Sequence, residues 1–389
     1  MKPSEQTALV LSGGGVYGAF EIGVMKTLFA GASPVNGYKP LEVGIFSGTS
    51  VGAFNAACMT GFSEQNELDA ALRLESIWLE RIADRPGVCG TGSFRIRGTP
   101  GEFIDPNCLR QPVALATRMA RDSLVLGRYL LGRGVNFLVS PAPPMDRVTS
   151  TVNIESFVDP LPFQNLVNNA FREEDVLNST KRLALVATNW SMGVPEYFKN
   201  SDFVNGHGYE IVRASAALPG VFPPVKINND TYVDGGVTEN TPLNSALSAG
   251  ATELHVVYLN PKPQFLPLKG QPDTLDTMLR VFYLLLAGRI EQDVVNLSQI
   301  NQGLQALAKF QNGGNVPTNA ALAFAKIAAK ALQNSHQLVT VHRYYPRGVL
   351  AGEFGMLDSQ LQTIVNVIEA GENIALTHDC QESGCLLPE

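Results

Sequence analysis

Three glycine-bearing turns contain the residue types that acyl transfer requires, and the first surrounds Ser50. The motif Gly48-Thr49-Ser50-Val51-Gly52 follows an apolar run and precedes a run with helical spacing. A serine on a tight turn between a strand and a helix is exposed to substrate, and flanking glycines let the backbone approach its neighbours closely. The motif therefore predicts a nucleophile elbow at Ser50, with an ordinary helix N-cap as the alternative.

The second turn, Gly13-Gly14-Gly15-Val16-Tyr17-Gly18, follows the first apolar run of the chain. Gly13, Gly15 and Gly18 also match the G-x-G-x-x-G spacing of a dinucleotide site. However, the second predicted strand ends in Phe46-Ser47-Gly48 and lacks the acidic residue that holds a ribose. If both turns lie at the carboxyl ends of neighbouring parallel strands, bare amides face Ser50. We therefore expect the amides of Gly13, Gly14 and Gly15 to form an oxyanion hole.

The third turn is Asp234-Gly235-Gly236, at the end of another apolar run. Taken alone, an aspartate followed by two glycines is equally typical of a simple turn. As a general base, Asp234 must contact the Ser50 hydroxyl directly, and burial must raise its pKa from the usual value of about 3.9.

A Ser–His–Asp triad is the competing arrangement, since a histidine that follows the acid would suit the chain order of α/β hydrolases. His255, His342 and His378 are the candidates. His255 and His342 lie within apolar runs, which is more typical of packed residues than of catalytic ones.

Together the three turns resemble the motifs of the patatin-like phospholipase family, in its bacterial form. The block from Ala214 to Pro224 is similar to a further family motif, and the resemblance extends from about Thr7 to Asn260. It implies a three-layer α/β/α sandwich and a Ser50–Asp234 dyad that cleaves acyl esters of lipids without a metal or cofactor. The family often has Arg or Lys where this chain has Tyr17, so a role for that cation is not expected here.

The elements that must position these turns alternate between strands and helices. The predicted strands are Thr7–Leu11, Leu41–Phe46, Leu183–Thr188, Thr231–Asp234, Leu254–Asn260 and Leu338–Tyr345. This alternation predicts an α/β fold with a mostly parallel central sheet. The last predicted helix spans Asp358–Glu369, with Asp358 or Ser359 as N-cap and Gly371 as terminator.

We interpret residues 1–389 as a single catalytic domain with its motifs in 7–260. Two segments are not needed to position the motifs. They are a cap inserted at about 85–162 and a helical elaboration at about 270–389. In the cap, we interpret Arg118–Leu131 as a helix that packs its apolar side on the sheet or, alternatively, as a membrane-interface helix. Apolar residues within Thr274–Phe310 are expected either to pack in the core or to line an acyl trough. Ala320–Leu332 is a further predicted helix.

The composition limits the partners of the chain. It is 45% hydrophobic with a net charge of −7, which disfavours a disordered chain and nucleic-acid binding. No apolar run is long enough to span a membrane, and no signal peptide is recognised, so we expect a cytoplasmic or peripheral membrane location, with signal-independent export left open. Five cysteines without CxxC spacing indicate neither a disulfide framework nor a zinc site. Cys380 and Cys385 are expected to be free thiols, with a disulfide between them as the alternative.

These observations predict a lipid acyl hydrolase of the phospholipase A or lysophospholipase type, with phospholipid as the favoured substrate. An acyltransferase that uses the same acyl-enzyme, a Ser–His–Asp esterase and an inactive lipid-binding protein are the alternatives. Head-group preference, positional specificity, oligomeric state and any activator are left open by the sequence.

Overall fold

A computed structural model describes most of the predicted catalytic region. The described residues are 6–62, 66–84, 160–219, 221–260, 295–305, 338–348 and 358–387, with scattered positions in 109–131 and 277–284 and at 350 and 356. Most of the predicted cap, the Ala320–Leu332 helix and most of the apolar residues within Thr274–Phe310 lie outside this part of the chain.

One mixed sheet forms the centre of the fold. Its strands are β1 (Thr7–Leu11), β2 (Ile45–Thr49), β3 (Arg182–Asn189), β4 (Val194–Lys199), β5 (Val225–Ile227), β6 (Asp230–Asp234), β7 (Glu253–Val257) and β8 (Thr340–Tyr344). The hydrogen-bonded path is β5-β6-β3-β2-β1-β7-β8, and β4 also pairs with β3. The five strands from β3 to β8 along this path are mutually parallel, whereas β4, β5 and β6 pair antiparallel.

Helices cover the sheet. They are α1 (Ala19–Phe29), α2 (Val51–Gly61), α3 (Glu67–Ile77), α4 (Leu161–Ala170), α5 (Glu173–Leu177), α6 (His207–Ser215), α7 (Gly236–Glu239), α8 (Leu243–Ser248), α9 (Leu361–Leu376) and α10 (Cys380–Ser383). Residues 295–305 are also helical, and a π-helical segment, Trp78–Ile82, continues α3.

Alternate residues of β1 face two separate hydrophobic cores. Leu9 and Leu11 pack into the larger core, with side chains of α1, α2 and α9. Ala8 and Val10 pack into the smaller core, with side chains of α8 and with Leu297. Because successive side chains of a strand point to opposite faces, the sheet has helices on both sides. The fold is therefore the predicted three-layer α/β/α sandwich with a mostly parallel sheet.

The ends of β2 and β6 meet on one edge of β3. Strand β4 occupies the other edge along 184–189, so β2 and β6 share the remaining one. There Thr49 is the register partner of Val186, and Asp234 is the partner of the next residue, Ala187. Two strands running in opposite directions thus end at adjacent positions, which brings residue 50 next to residue 234.

The bounds of the second predicted strand need correction. The second strand spans Ile45–Thr49 rather than Leu41–Phe46, because Ser47, Gly48 and Thr49 pair with β1 or β3 although they are not apolar. The direction of the strand that ends at Asp234 was not predicted, and the structure shows that it runs antiparallel to β3. Strand bounds and strand direction both depend on backbone pairing, which a pattern of apolar residues does not reveal.

The bounds predicted for the helix at Asp358–Glu369 also need correction. It spans Leu361–Leu376, and Gln360 rather than Asp358 or Ser359 is its N-cap. Gly371 does not terminate it. A Cβ at Gly371 would lie 2.1 Å from the carbonyl oxygen of Phe20, and one at Gly23 would lie 2.0 Å from that of Ile368. The two glycines therefore allow α1 and α9 to cross in close contact.

Within the described ranges, none of the helices combines the length and apolar character needed to cross a bilayer.

Candidate active site

Ser50 occupies a strained turn between β2 and α2. Its backbone angles are φ 56° and ψ −123°, a conformation that costs a non-glycine residue free energy. The flanking glycines allow this turn to pack tightly. A Cβ at Gly48 would lie 2.2 Å from the carbonyl oxygen of Gly52, and one at Gly52 would lie 2.3 Å from that of Leu11. Although Ser50 precedes α2, its side chain does not cap the helix.

The Ser50 hydroxyl contacts Asp234 directly. Ser50 Oγ donates a hydrogen bond to Asp234 Oδ2 at 2.7 Å. The Asp234 side chain is buried, and burial raises its pKa to about 7, although the hydrogen bonds from Ser50 and Gly236 act in the opposite direction. A carboxylate with a pKa near neutrality is a far better proton acceptor for a hydroxyl than an exposed aspartate.

Backbone contacts hold Asp234 in this orientation. The amide of Gly236 donates to Asp234 Oδ1 at 2.7 Å, which leaves Oδ2 for Ser50. The Asp234 amide donates to the carbonyl of Ala217, and Thr188 Oγ1 donates to the Asp234 carbonyl, both at 2.9 Å. A Cβ at Gly235 would lie 2.3 Å from a β3 carbonyl oxygen, so the turn after Asp234 requires a glycine there.

The first glycine turn lies beside Ser50. A Cβ at Gly13 would lie 3.0 Å from the Ser50 Cβ. However, the Gly13 amide donates to the carbonyl of Asn240 at 3.0 Å, so it is engaged inside the protein. For the amides of Gly14 and Gly15, no acceptor is found among the described residues. The amides expected to form the oxyanion hole are therefore only those of Gly14 and Gly15.

The conformation of this turn depends on glycine at two positions. Gly15 has a φ of +58°, and a Cβ there would lie 2.5 Å from the carbonyl oxygen of Met356. A Cβ at Gly18 would lie 2.6 Å from a side-chain carbon of Val51. Tyr17, at the position where the resemblance suggests a cation, is 2% exposed and belongs to the larger core.

A buried polar group beneath the turn was not foreseen from the sequence. Asn55 Nδ2 donates to the Gly18 carbonyl at 3.1 Å and to Glu21 Oε2 at 2.7 Å. Trp78 Nε1 donates to Asn55 Oδ1 at 2.9 Å. Burial raises the pKa of Glu21 well above its usual value and so favours the neutral form of this carboxyl group. These bonds connect the end of the glycine turn to α2.

Ser215 is a second residue that sequence reasoning missed. Its hydroxyl accepts a hydrogen bond from the Ser50 amide at 2.9 Å and donates to the carbonyl of Val186 at 2.6 Å. The Ser215 carbonyl also accepts from the amide of Gly235 at 3.1 Å. The block similar to a family motif, Ala214–Pro224, therefore contacts both the Ser50 turn and the Asp234 turn. In the sequence, only the similarity of this block to the family motif pointed to Ser215.

The three histidines lie together in a different place. His255 and His342 are buried in β7 and β8 and stack with their ring centroids 4.8 Å apart. His378 contacts His342 at 6.4 Å between centroids. In the part of the chain that the structure describes, the Ser50 hydroxyl has Asp234 and no histidine as its hydrogen-bond partner.

Comparison with known proteins assigns the family. The sequence model of the patatin-like phospholipase family matches residues 9–247, which include all three turns. The chain belongs to this family. The family is one of lipid acyl hydrolases, and its substrates are lipids.

Among solved structures, the crystal structure of VipD from Legionella pneumophila is similar to this patatin-like chain. The TM-score is 0.39 and the sequence identity is 13%. The match covers 96% of this chain and 66% of the VipD chain, so this chain spans just under two thirds of that protein.

Proposed function

We propose that this protein cleaves fatty-acyl esters of phospholipids or lysophospholipids through an acyl-Ser50 intermediate. The observation that carries the proposal is the 2.7 Å hydrogen bond from the Ser50 hydroxyl to the buried carboxyl group of Asp234. Nucleophile and base in direct contact need no imidazole between them. This arrangement favours a Ser–Asp dyad over a Ser–His–Asp triad.

Acylation begins with transfer of the Ser50 hydroxyl proton to Asp234 Oδ2. Ser50 Oγ forms a bond to the ester carbonyl carbon, and the carbonyl oxygen becomes an oxyanion. The amides of Gly14 and Gly15 donate to this oxygen, and each such donor typically contributes about 3 kcal/mol to transition-state stabilisation. When the intermediate collapses, the carbon–oxygen bond to the alcohol breaks, and Asp234 gives its proton to the leaving lysolipid or glycerol compound.

Deacylation uses the same groups with water as the nucleophile. Asp234 accepts a proton from water while the water oxygen attacks the acyl carbon of the Ser50 ester. Collapse releases the fatty acid, and the proton returns from Asp234 to Ser50 Oγ. Because the pKa of Asp234 is about 7, the carboxyl group accepts and returns a proton near neutral pH without a large free-energy change.

Covalent labelling tests the nucleophile. A fluorophosphonate is expected to label the full-length protein, and peptide mapping should place the adduct on Ser50. Ser50→Ala should abolish labelling, whereas Ser76→Ala, at an exposed serine of α3, should leave it unchanged. Labelling that persists in Ser50→Ala would refute the assignment of Ser50.

Product analysis tests the reaction. Phosphatidylcholine vesicles incubated with wild-type protein should release free fatty acid, and Ser50→Ala and Asp234→Asn should not release it. Asp230→Asn is the matched control, since Asp230 is an exposed residue at the start of the same strand. The assay is repeated with added glycerol or lysolipid. If the acyl group then appears mainly as a new ester, the protein is an acyltransferase and the proposed hydrolysis is wrong.

A further inference from the structure

Four potential metal ligands meet at the edge of the sheet that lies beyond β7. His342 is in the edge strand β8, and His378, Cys380 and Cys385 are in the C-terminal segment that follows α9. Their ligand atoms all lie within 4.8 Å of one another. Both histidines are buried, both cysteines are half-buried, and both thiols are free. We call these four residues the edge cluster.

Three sulfur–nitrogen distances within the edge cluster match those of a tetrahedral zinc site. Cys380 Sγ lies 3.4 Å from His342 Nδ1 and 3.5 Å from His378 Nε2. Cys385 Sγ also lies 3.5 Å from His378 Nε2. With zinc–sulfur bonds of about 2.3 Å and zinc–nitrogen bonds of about 2.0–2.1 Å, tetrahedral geometry places sulfur and nitrogen ligands about 3.5 Å apart.

We propose that the edge cluster binds one zinc ion as a structural Cys2His2 site. Two thiolates and two imidazoles are a typical donor set for zinc, and four protein ligands leave no position open for substrate. The ion would link the C-terminal segment to β8. The sequence analysis did not indicate a zinc site, because the cysteines are not in CxxC spacing. The ligands are also spread along the chain, since His342 lies 36 residues before His378.

The local backbone is shaped to bring the two cysteines together. Asp379 caps α10 by accepting from the amide of Gln381, so Cys380 is the first residue of that short helix. Gly384 then adopts a left-handed conformation with φ 68°, and the Cys385 amide donates to the Cys380 carbonyl at 2.9 Å. This reversal returns the chain towards Cys380, as a pair of metal ligands requires.

Two other contacts orient the cluster against the sheet. Leu386 forms a two-way backbone pair with Val341, which fixes the chain after Cys385 beside β8. On the other side of the His342 ring, Nε2 lies 3.8 Å from Glu253 Oε1. A carboxylate facing the second nitrogen of a histidine favours the tautomer in which Nδ1 is free to bind a metal.

Glu253, His255 and His342 form an overlapping group that competes for the assignment. We favour the edge cluster because it has four ligands that include two thiolates, which are strong zinc ligands, whereas the competing group has three ligands and no thiolate. In this assignment, Glu253 and His255 support the ligand His342 rather than bind the ion.

Metal analysis of the full-length protein tests the proposal. Protein purified with a thiol reductant and without chelator, then given Zn²⁺ and desalted, is expected to contain about one zinc ion per chain. The Cys380→Ser/Cys385→Ser double variant should lose most of it. Cys58→Ala, at a buried free cysteine of α2, and His207→Gln are the matched controls and should retain it. Equal zinc in the double variant would refute the edge cluster and favour the Glu253 group.

Two measurements on the wild-type protein remain informative if the double variant does not fold. Bound Zn²⁺ should protect Cys380 and Cys385 from alkylation by N-ethylmaleimide, as read by peptide mass spectrometry. Co²⁺ added to metal-stripped protein should give the visible and thiolate charge-transfer bands of a tetrahedral sulfur-containing site. Full alkylation in the presence of Zn²⁺, or a Cys380–Cys385 disulfide in the purified protein, would refute the proposal. Neither result depends on esterase activity.

Discussion

The Ser50 site and the edge cluster lie in the same sheet but are held in different ways. Around Ser50, backbone atoms do most of the positioning, because glycines allow close contacts and the strands β2 and β6 end side by side on β3. In the edge cluster, the ligand side chains come from β8 and from the C-terminal segment, and a short turn and one backbone pair hold that segment beside β8. The geometry of the first site is therefore fixed by strand pairing and close backbone contacts, whereas the proposed zinc ion would add direct bonds between the side chains of the second.

The largest effect is expected from a single methyl group beside the Ser50 turn. In Gly52→Ala, the new Cβ would lie 2.3 Å from the Leu11 carbonyl oxygen, and backbone cannot move away as a side chain can. We expect a loss of about 3 kcal/mol or more in unfolding free energy and no measurable activity. Urea unfolding and ester hydrolysis are the measurements.

Gly303→Ala is the matched control for that substitution. Gly303 is in a helix, and nothing lies within 4 Å of a Cβ added there. This variant should remain active and gain up to about 1 kcal/mol, because alanine is the better helix former. If the two variants had equal unfolding free energies and equal activities, the backbone contacts around Ser50 would not be what holds the site.

Replacing the buried carboxyl group is expected to separate activity from stability. Asp234→Asn should lower kcat by a factor of about 10⁴, a typical loss for removal of a catalytic carboxylate. The folded-state pKa of about 7 exceeds the unfolded value near 3.8, so the favourable contribution of Asp234 is complete below pH 4 and is lost as pH rises to 7. The asparagine variant has no such loss. Its unfolding free energy relative to wild type should therefore rise by up to about 4 kcal/mol between pH 4 and pH 8.

Urea unfolding of both proteins at several pH values measures this difference. Asp230→Asn, at the exposed end of β6, should show only a small change over the same range. If the difference between wild type and Asp234→Asn did not grow with pH, Asp234 would not be a buried group with a raised pKa.

The pH dependence of the wild-type enzyme should reflect the same group. Only the ionised form of Asp234 accepts the Ser50 proton, so kcat/KM should rise with an apparent pKa of about 7 and fall about tenfold per unit below it. A profile from pH 5 to 9 with a soluble ester measures this. An activity that is constant between pH 5 and 7 would contradict the proposed base.

Ser215→Ala tests a smaller contribution to the central site. The variant removes the hydroxyl that accepts from the Ser50 amide, which leaves a polar group without a partner next to the strained turn. We expect a loss of about 1–3 kcal/mol in stability and a decrease in kcat of about tenfold. Fluorophosphonate labelling should persist at a lower rate, and loss of labelling altogether would indicate a larger role than positioning.

The sequence predicted the elements with strong local patterns. Strand β1 has the predicted bounds Thr7–Leu11, since five apolar or β-prone residues end at a glycine turn. Ser50 was placed correctly between a strand and a helix, because the glycines reveal the turn. Its catalytic role stays a prediction, as do those of Asp234 and the glycine amides.

Other features depend on partners far along the chain. Strand direction depends on pairing with neighbouring strands, so the apolar run before Asp234 did not reveal that this strand is antiparallel to β3. The engagement of the Gly13 amide requires Asn240, which is 227 residues away. Ser215 and Asn55 are ordinary polar residues in apolar surroundings, and nothing local distinguishes a residue that supports a turn from one that caps a helix.

The smallest effect on catalysis is expected at the edge cluster, and it would complete the comparison. If zinc stabilises the C-terminal segment without reaching the Ser50 site, its removal should lower the thermal midpoint by several degrees, about 1–3 kcal/mol, while kcat below the transition changes less than twofold. Calorimetry and ester hydrolysis before and after chelation, with metal-free Cys380→Ser/Cys385→Ser protein as the control for chelator effects, measure both. A large loss of kcat on chelation would show that the two sites are coupled through β7 and β1. The geometry of the Ser50 site would then depend on the metal.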